Sequence, residues 1–132
     1  KLDNIILTSH LVAFTAFLIF KEQNKRLDLY GLLQLPIDDF SISVSFLTQN
    51  IKIVLDYLKK LEREEKVNLS SKFLEDESLI IEDGIKRLGS YHVKRPLIIK
   101  GNNVKSENYK LLFYYYNRLS VYHLEKHVHL EI

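Results

Sequence analysis

The sequence predicts a mostly α domain: a helical bundle of about five helices with one small β-hairpin. Three observations point there. Ile5 to Phe20 is a dense apolar run broken only by Thr8, Ser9, His10 and Thr15. Val44, Leu47, Ile51, Val54, Leu58 and Leu61 step by three and four along Ser43–Lys66, widened by Leu55, which is the spacing of one helix face. Leu111–Leu124 reads LLFYYYNRLSVYHL, and its five aromatic residues must face a core, a partner, a ligand or a membrane.

Composition sets the bounds. A chain of 132 residues with 46% hydrophobic and 27% charged residues suits a single globular domain spanning 1–132. The formal charge of +2 does not imply a nucleic-acid partner. It is unevenly placed. Residues 1–90 hold 12 Lys/Arg against 14 Asp/Glu, and residues 91–132 hold 7 against 3, so the last third is where an anionic partner is expected. With no cysteine, thiol catalysis, thiolate metal sites and disulfides are excluded. Without methionine and with Lys1-Leu2-Asp3 in front, the chain reads as a piece of a longer protein.

The apolar run of about 16 residues falls short of the ~20 that span a bilayer, so it reads as a buried core helix, with Thr8 or Ser9 as its cap. A membrane-embedded or re-entrant helix is the alternative. Leu27–Leu35 follows as a short helix with Asp28 as N-cap, closed by Pro36. Ser43–Lys66 is the long amphipathic helix; Lys52/Asp56, Asp56/Lys60 and Glu62/Lys66 on its other faces are i,i+4 pairs. Glu75-Asp76-Glu77-Ser78 is an acidic helix start, Ile81, Ile85 and Leu88 form its face, and Gly89 closes it. Pro96–Lys100 is a strand, Gly101-Asn102-Asn103 a turn, and Val104-Lys105 the return strand. Ser106 or Asn108 opens a last helix, Tyr109 to His127.

Site chemistry is sparse. His123 and His127 have i,i+4 spacing, but His123-Leu124-Glu125-Lys126-His127 is not HExxH, and no metal or cofactor site is expected. No phosphate-cradling Gly loop and no GxSxG elbow occur. The acidic runs read as solvated helix faces rather than acid/base pairs. Lys94, Arg95, Lys100 and Lys105 bracket the hairpin, either as an ordinary solvated surface, the favoured reading, or as contacts for phosphate groups of a substrate or lipid, and Asn117 and Arg118 are polar members of the aromatic tract. Arg95, Lys100, Asn117 and Arg118 are the candidate site, for phosphate or for contact with another domain. Asn117 is expected to make an internal bond, and Arg118 to meet a phosphate or an acidic neighbour such as Asp76.

Ser9–Ala13 with Arg26–Leu29, the helix ending Arg87-Leu88-Gly89, and Leu112–Leu119 lie in the order of three segments that they resemble in the C-terminal region of the glycerol-3-phosphate acyltransferase family and its dihydroxyacetone-phosphate acyltransferase relatives. Ser9-His10-Leu11-Val12-Ala13, followed by Arg26-Leu27-Asp28-Leu29, resembles an apolar helix opening on a Thr/Ser-His pair and leading to a hydrophobic-Asp-Leu helix. The helix ending Arg87-Leu88-Gly89 resembles one ending in Leu-Gly. Leu112–Leu119, LFYYYNRL, resembles an aromatic Tyr-x-Asn-x-hydrophobic segment beyond the catalytic domain. Where many relatives carry a histidine four residues after that asparagine, this chain has Val121. The family's catalytic signature, a His followed five residues later by Asp, is absent: His10 meets Thr15, His92 meets Leu97, His123 meets Val128 and His127 meets Ile132.

The resemblance implies an accessory C-terminal domain, inactive alone, of an enzyme that joins an acyl thioester (acyl-CoA or acyl-carrier protein) to glycerol 3-phosphate. Its partner would be the catalytic domain of the same polypeptide, with peripheral contact at the cytoplasmic face of a membrane. Two other readings come from the residues themselves. One is a free-standing helical interaction module docking through Ser43–Lys66. The other is a winged-helix-like nucleic-acid binder made of three helices and a hairpin.

Overall fold

The computed structural model describes residues 5–70, 73, 77–89, 93–120 and 122–130. Its centre is helix α1, Thr8–Gln23. Every residue from Thr8 to Phe20 is buried. A helix apolar on all sides must be surrounded, and three others surround it: α3 (Val44–Arg63), α4 (Glu77–Gly89) and α5 (Tyr109–Ser120) all pack on it, α5 most extensively. The short α2, Leu29–Leu33, follows α1, and a 3₁₀ turn at Ile37–Asp39 follows Pro36. The fold is mostly α, as the sequence predicts.

The ring contacts set the direction of α5. Phe14 stacks on Tyr116 at 5.2 Å, Phe17 meets Phe113 at 5.3 Å, and Phe20 meets Tyr109 at 4.9 Å. Rising numbers on α1 meet falling numbers on α5, so the helices are antiparallel. The aromatic tract thus faces the chain's own core: Tyr109, Leu112, Tyr116 and Leu119 are buried, and Tyr114 is exposed. At the base of this seam the Tyr109 hydroxyl donates to the carbonyls of Pro36 (2.5 Å) and Ile37 (3.1 Å), tying the 3₁₀ turn to α5. Burial, then the charge of Asp39, pushes the Tyr109 pKa up to about 12, which keeps the hydroxyl a donor.

The α3 stripe is also spent on the core, with Leu47, Ile51, Val54, Leu55, Leu58 and Leu61 buried. Its N-cap is Ser43, whose Oγ accepts the Phe46 N–H at 3.1 Å. It ends three residues before the expected Lys66. Lys66 N–H returns to the Leu61 carbonyl (2.9 Å) around Glu65, which takes a left-handed φ of 59°, the Schellman way of closing a helix. Asp28 caps α2 as expected, its Oδ1 accepting the Gly31 N–H at 2.8 Å.

Four sequence expectations are corrected. Thr8 and Ser9 lie inside α1 rather than capping it; the cap is Leu7, whose N–H donates to His10 Nδ1 at 3.1 Å. Histidine three residues into a helix takes the role usually played by Glu. The last helix stops at Ser120, not His127: His123 has a left-handed φ of 58° and leads into a 3₁₀ turn at Leu124–Lys126. His123 and His127 therefore do not share one helix face, and His127 stacks on Tyr57 at 5.5 Å. Gly89 is the last residue of α4 rather than a cap beyond it. Finally, the hairpin is part of a larger sheet.

That hairpin joins β4 (Ile98–Lys100) to β5 (Asn103–Lys105) through Gly101-Asn102, with Gly101 at φ +61°, which an L side chain disfavours. Strand β2, Ile42–Ser43, pairs antiparallel with β5, giving the order β2-β5-β4. A second unit is parallel: β1 (Ile5–Ile6) pairs with β3 (Asn68–Leu69). Ile5 and Ile6, the first residues of the apolar run, are thus extended. The acidic lead-in Glu75-Asp76, His92 and Val121 lie outside the described residues.

Candidate functional site

The four candidate residues are not brought together. Arg95 is locked by its backbone: its N–H donates to Glu107 Oε1 (3.0 Å) and its carbonyl accepts the Glu107 N–H (3.0 Å). Its side chain lies over Gly89, where an added Cβ would stand 3.0 Å from Arg95 Cδ, and it lines a groove with Lys86 and Leu97. Lys100 lines a different cavity. Asn117 is exposed, and its carbonyl and Oδ1 accept the Ser120 hydroxyl at 3.2 and 3.3 Å. This is the internal bond expected of it. Arg118 is exposed and lends its charge to the surroundings of His10. Asp76, its suggested partner, lies outside the described residues.

Three other arrangements carry chemistry. The first is the polar start of α1. Thr8 Oγ1 donates to Asp83 Oδ2 (2.6 Å), and Arg87 Nε donates to the same oxygen (2.8 Å), pinning α4 to α1. Thr8 and His10 are buried beside it. Burial, with Arg118 adding to it, lowers the His10 pKa from 6.5 to about 4. Accepting the Leu7 N–H through Nδ1 requires the neutral ring, because an imidazolium has no acceptor.

A pH dependence follows. The unfolded chain takes up the His10 proton below pH 6.5, while the folded chain resists it to about pH 4. The His10 contribution is complete above pH 6.5 and is lost as pH falls through that window. Allowing for residual contact with water, we expect a loss of roughly 2 kcal/mol from pH 7 to about pH 4.5. His10→Asn, whose Oδ1 accepts the same N–H without titrating, is expected to flatten this slope in urea titrations. An equally steep slope in the variant assigns it to other groups.

The second arrangement lies between the end of α1 and α2. Leu27 and Leu29 are about two-fifths exposed and Tyr30 is 74% exposed, an unusual cost for large side chains unless something covers them. Leu27, Leu29 and Phe113 line one cavity of about 410 Å³, with Lys21, Lys25 and Glu125 at its rim. Lys21 Nζ holds that rim, bonding the Tyr116 hydroxyl (3.1 Å) and Glu125 (3.2 Å). Sequence periodicity does not reveal this surface, because Leu29 and Tyr30 sit in a helix of five residues, too short to carry a stripe.

The third arrangement is a basic cavity of about 290 Å³ on the outer face of the three-stranded sheet, lined by Lys94, Lys100 and Lys105 with Asp38 and Glu107. Strand alternation places Ile98, Lys100 and Lys105 on this face, while Val104 and Ile42 turn to the core. Three of the four basic residues bracketing the hairpin converge; Arg95 does not.

Among the described residues no group of His, Asp and Glu has metal-binding geometry, and no helix is long and apolar enough to cross a membrane. No family model, curated protein or solved structure matches this chain.

Proposed function

We propose that this chain is the accessory C-terminal domain of a membrane-associated glycerol-3-phosphate acyltransferase, packing on and supporting a catalytic domain elsewhere in the same polypeptide. In that reaction an acyl group passes from a CoA or carrier-protein thioester to glycerol 3-phosphate, giving lysophosphatidate. This chain supplies no catalytic residue to it. The reading starts from the three ordered resemblance segments. One structural observation supports it most: the first and last segments meet, with Leu27 and Leu29 of one and Phe113 of the other lining the same partly open apolar cavity. Tyr30 stands exposed beside them. Such a surface, rimmed by charge, suits a domain contact.

The competing module that docks through Ser43–Lys66 has lost its docking face, since that stripe is buried within the chain. The winged-helix-like reading has one observation in its favour. With α2 and β3 left aside as insertions, α1, β2, α3, α4, β4 and β5 follow the order of such a module, and β5 lies between β2 and β4. Its charge weighs the other way. The helix before the hairpin, α4, offers Glu82 and Asp83 alongside Lys86 and Arg87, and Asp83 already holds Arg87. Phosphate backbones require an excess of cations there.

The test begins with the coding sequence upstream of Lys1, where a His followed five residues later by Asp is expected. An upstream region without that motif removes the reading. Within the longer enzyme, Leu29→Lys with Tyr30→Lys is expected to lower acyl transfer about tenfold or more while leaving the melting temperature of this domain within a few degrees, since exposed substitutions rarely unfold a protein. Unchanged acyl transfer in that variant counts against this surface as the domain contact.

A further inference from the structure

We propose that the basic cavity on the sheet is a phosphate-binding site, taking either a soluble phosphate monoester or the phosphate headgroup of a lipid. The inference is independent of the acyltransferase reading. Lys94 precedes β4, Lys100 ends β4 and Lys105 ends β5, so three separate points of the chain bring a lysine to one concave surface. Among the described residues none of the three ammonium groups has an ion-pair or hydrogen-bond partner. Three like charges gathered without partners repel one another, and an anion between them reverses the sign of that energy.

The two carboxylates on the cavity do not fill the role. Glu107 already accepts the Arg95 N–H through Oε1. Asp38 sits on the 3₁₀ turn and leaves the lysines in excess. Ile37 and Ile98 supply an apolar side, suited to the carbon skeleton of an ester rather than to a bare inorganic ion alone. Lysine binds phosphate as a mobile point charge rather than through a fixed fork, which matches the exposure of Lys94 and Lys100. The site also lies in the basic last third of the chain.

The experiment uses the full chain and two probes. Inorganic phosphate is titrated against ¹⁵N-labelled protein, and vesicles of phosphatidylcholine with or without phosphatidic acid are tested by co-sedimentation. Saturable shifts confined to the hairpin and its surroundings are expected with phosphate and not with chloride. Vesicle binding that needs phosphatidic acid, and that phosphate displaces, identifies the lipid as a source; phosphate binding without vesicle binding identifies the soluble ester. Lys94→Gln with Lys100→Gln and Lys105→Gln is expected to weaken binding about tenfold or more. Lys52→Gln with Lys59→Gln, on an exposed face of α3, is expected to leave it unchanged. Asp38→Asn is expected to strengthen it about threefold by removing an opposing charge, a gain that unfolding cannot mimic. The proposal is overturned by equal binding to chloride and phosphate, by equal losses in the two lysine sets, or by tighter binding to a DNA duplex than to either phosphate probe.

Discussion

Phe17→Ala is expected to cost about 3–5 kcal/mol of folding stability, the range for truncating a fully buried aromatic ring. Phe17 is fully buried, and its ring meets Tyr116 at 4.9 Å, Phe113 at 5.3 Å and Phe20 at 6.2 Å. Removing it leaves a void between α1 and α5 that cannot collapse, because the facing rings are fixed by contacts of their own. Phe14 holds Tyr116, and Tyr116 stacks on Phe113 at 5.8 Å. For a domain of this size the loss corresponds to a fall in melting temperature of about 10–20 °C. Denaturant titration measures it directly. A loss below about 1.5 kcal/mol would mean that the α1–α5 seam is not the centre of the core.

Gly84→Ala is expected to destabilise by about 2–3 kcal/mol, against the sign that helix propensity alone predicts. In an exposed helix interior, alanine is better than glycine by about 1 kcal/mol. Gly84, however, is where α4 crosses α1. A Cβ there would stand 2.6 Å from Val12 Cγ2 and 2.9 Å from the Thr8 carbonyl oxygen. The valine methyl can turn aside, but the carbonyl belongs to the backbone of the central helix and cannot, so the helices must separate. Separation also strains the Thr8–Asp83 hydrogen bond beside the crossing. Val12→Ala in the same chain is expected to recover only part of the loss, since the carbonyl contact remains. A stabilised Gly84→Ala variant would mean that α4 does not approach α1 this closely.

The legibility of the fold varied with the length of the signal. The amphipathic stripe of α3 could be read directly, as could the start of α5, the Asp28 cap and the tight turn at Gly101. Strands β1, β2 and β3 are two residues each, too short for alternation to register. They exist because the chain on either side is already placed. The end of α5 was misjudged because Tyr122, Leu124 and Val128 continue to supply apolar residues beyond Ser120, and nothing local announces the left-handed turn at His123.

The candidate residues divide in the same way. Sequence identified the hairpin as basic, but only the register of β4 on β5 decided that Lys100 and Lys105 share a face, and only the packing of Arg95 over Gly89 separates it from them. The polar start of α1 shows the limit most clearly. The sequence offers Thr8 or Ser9 as a cap, and both are instead buried inside the helix where α4 crosses at a glycine. What the sequence determined by itself was local: which segments coil, where they are capped, and that an aromatic helix and an all-apolar helix must be covered. Tertiary structure decided what covers them and which charges meet. Those outcomes depend on contacts between residues far apart in the chain, such as Thr8 with Asp83 and Phe113 with Phe17, and no pattern within a single segment encodes them.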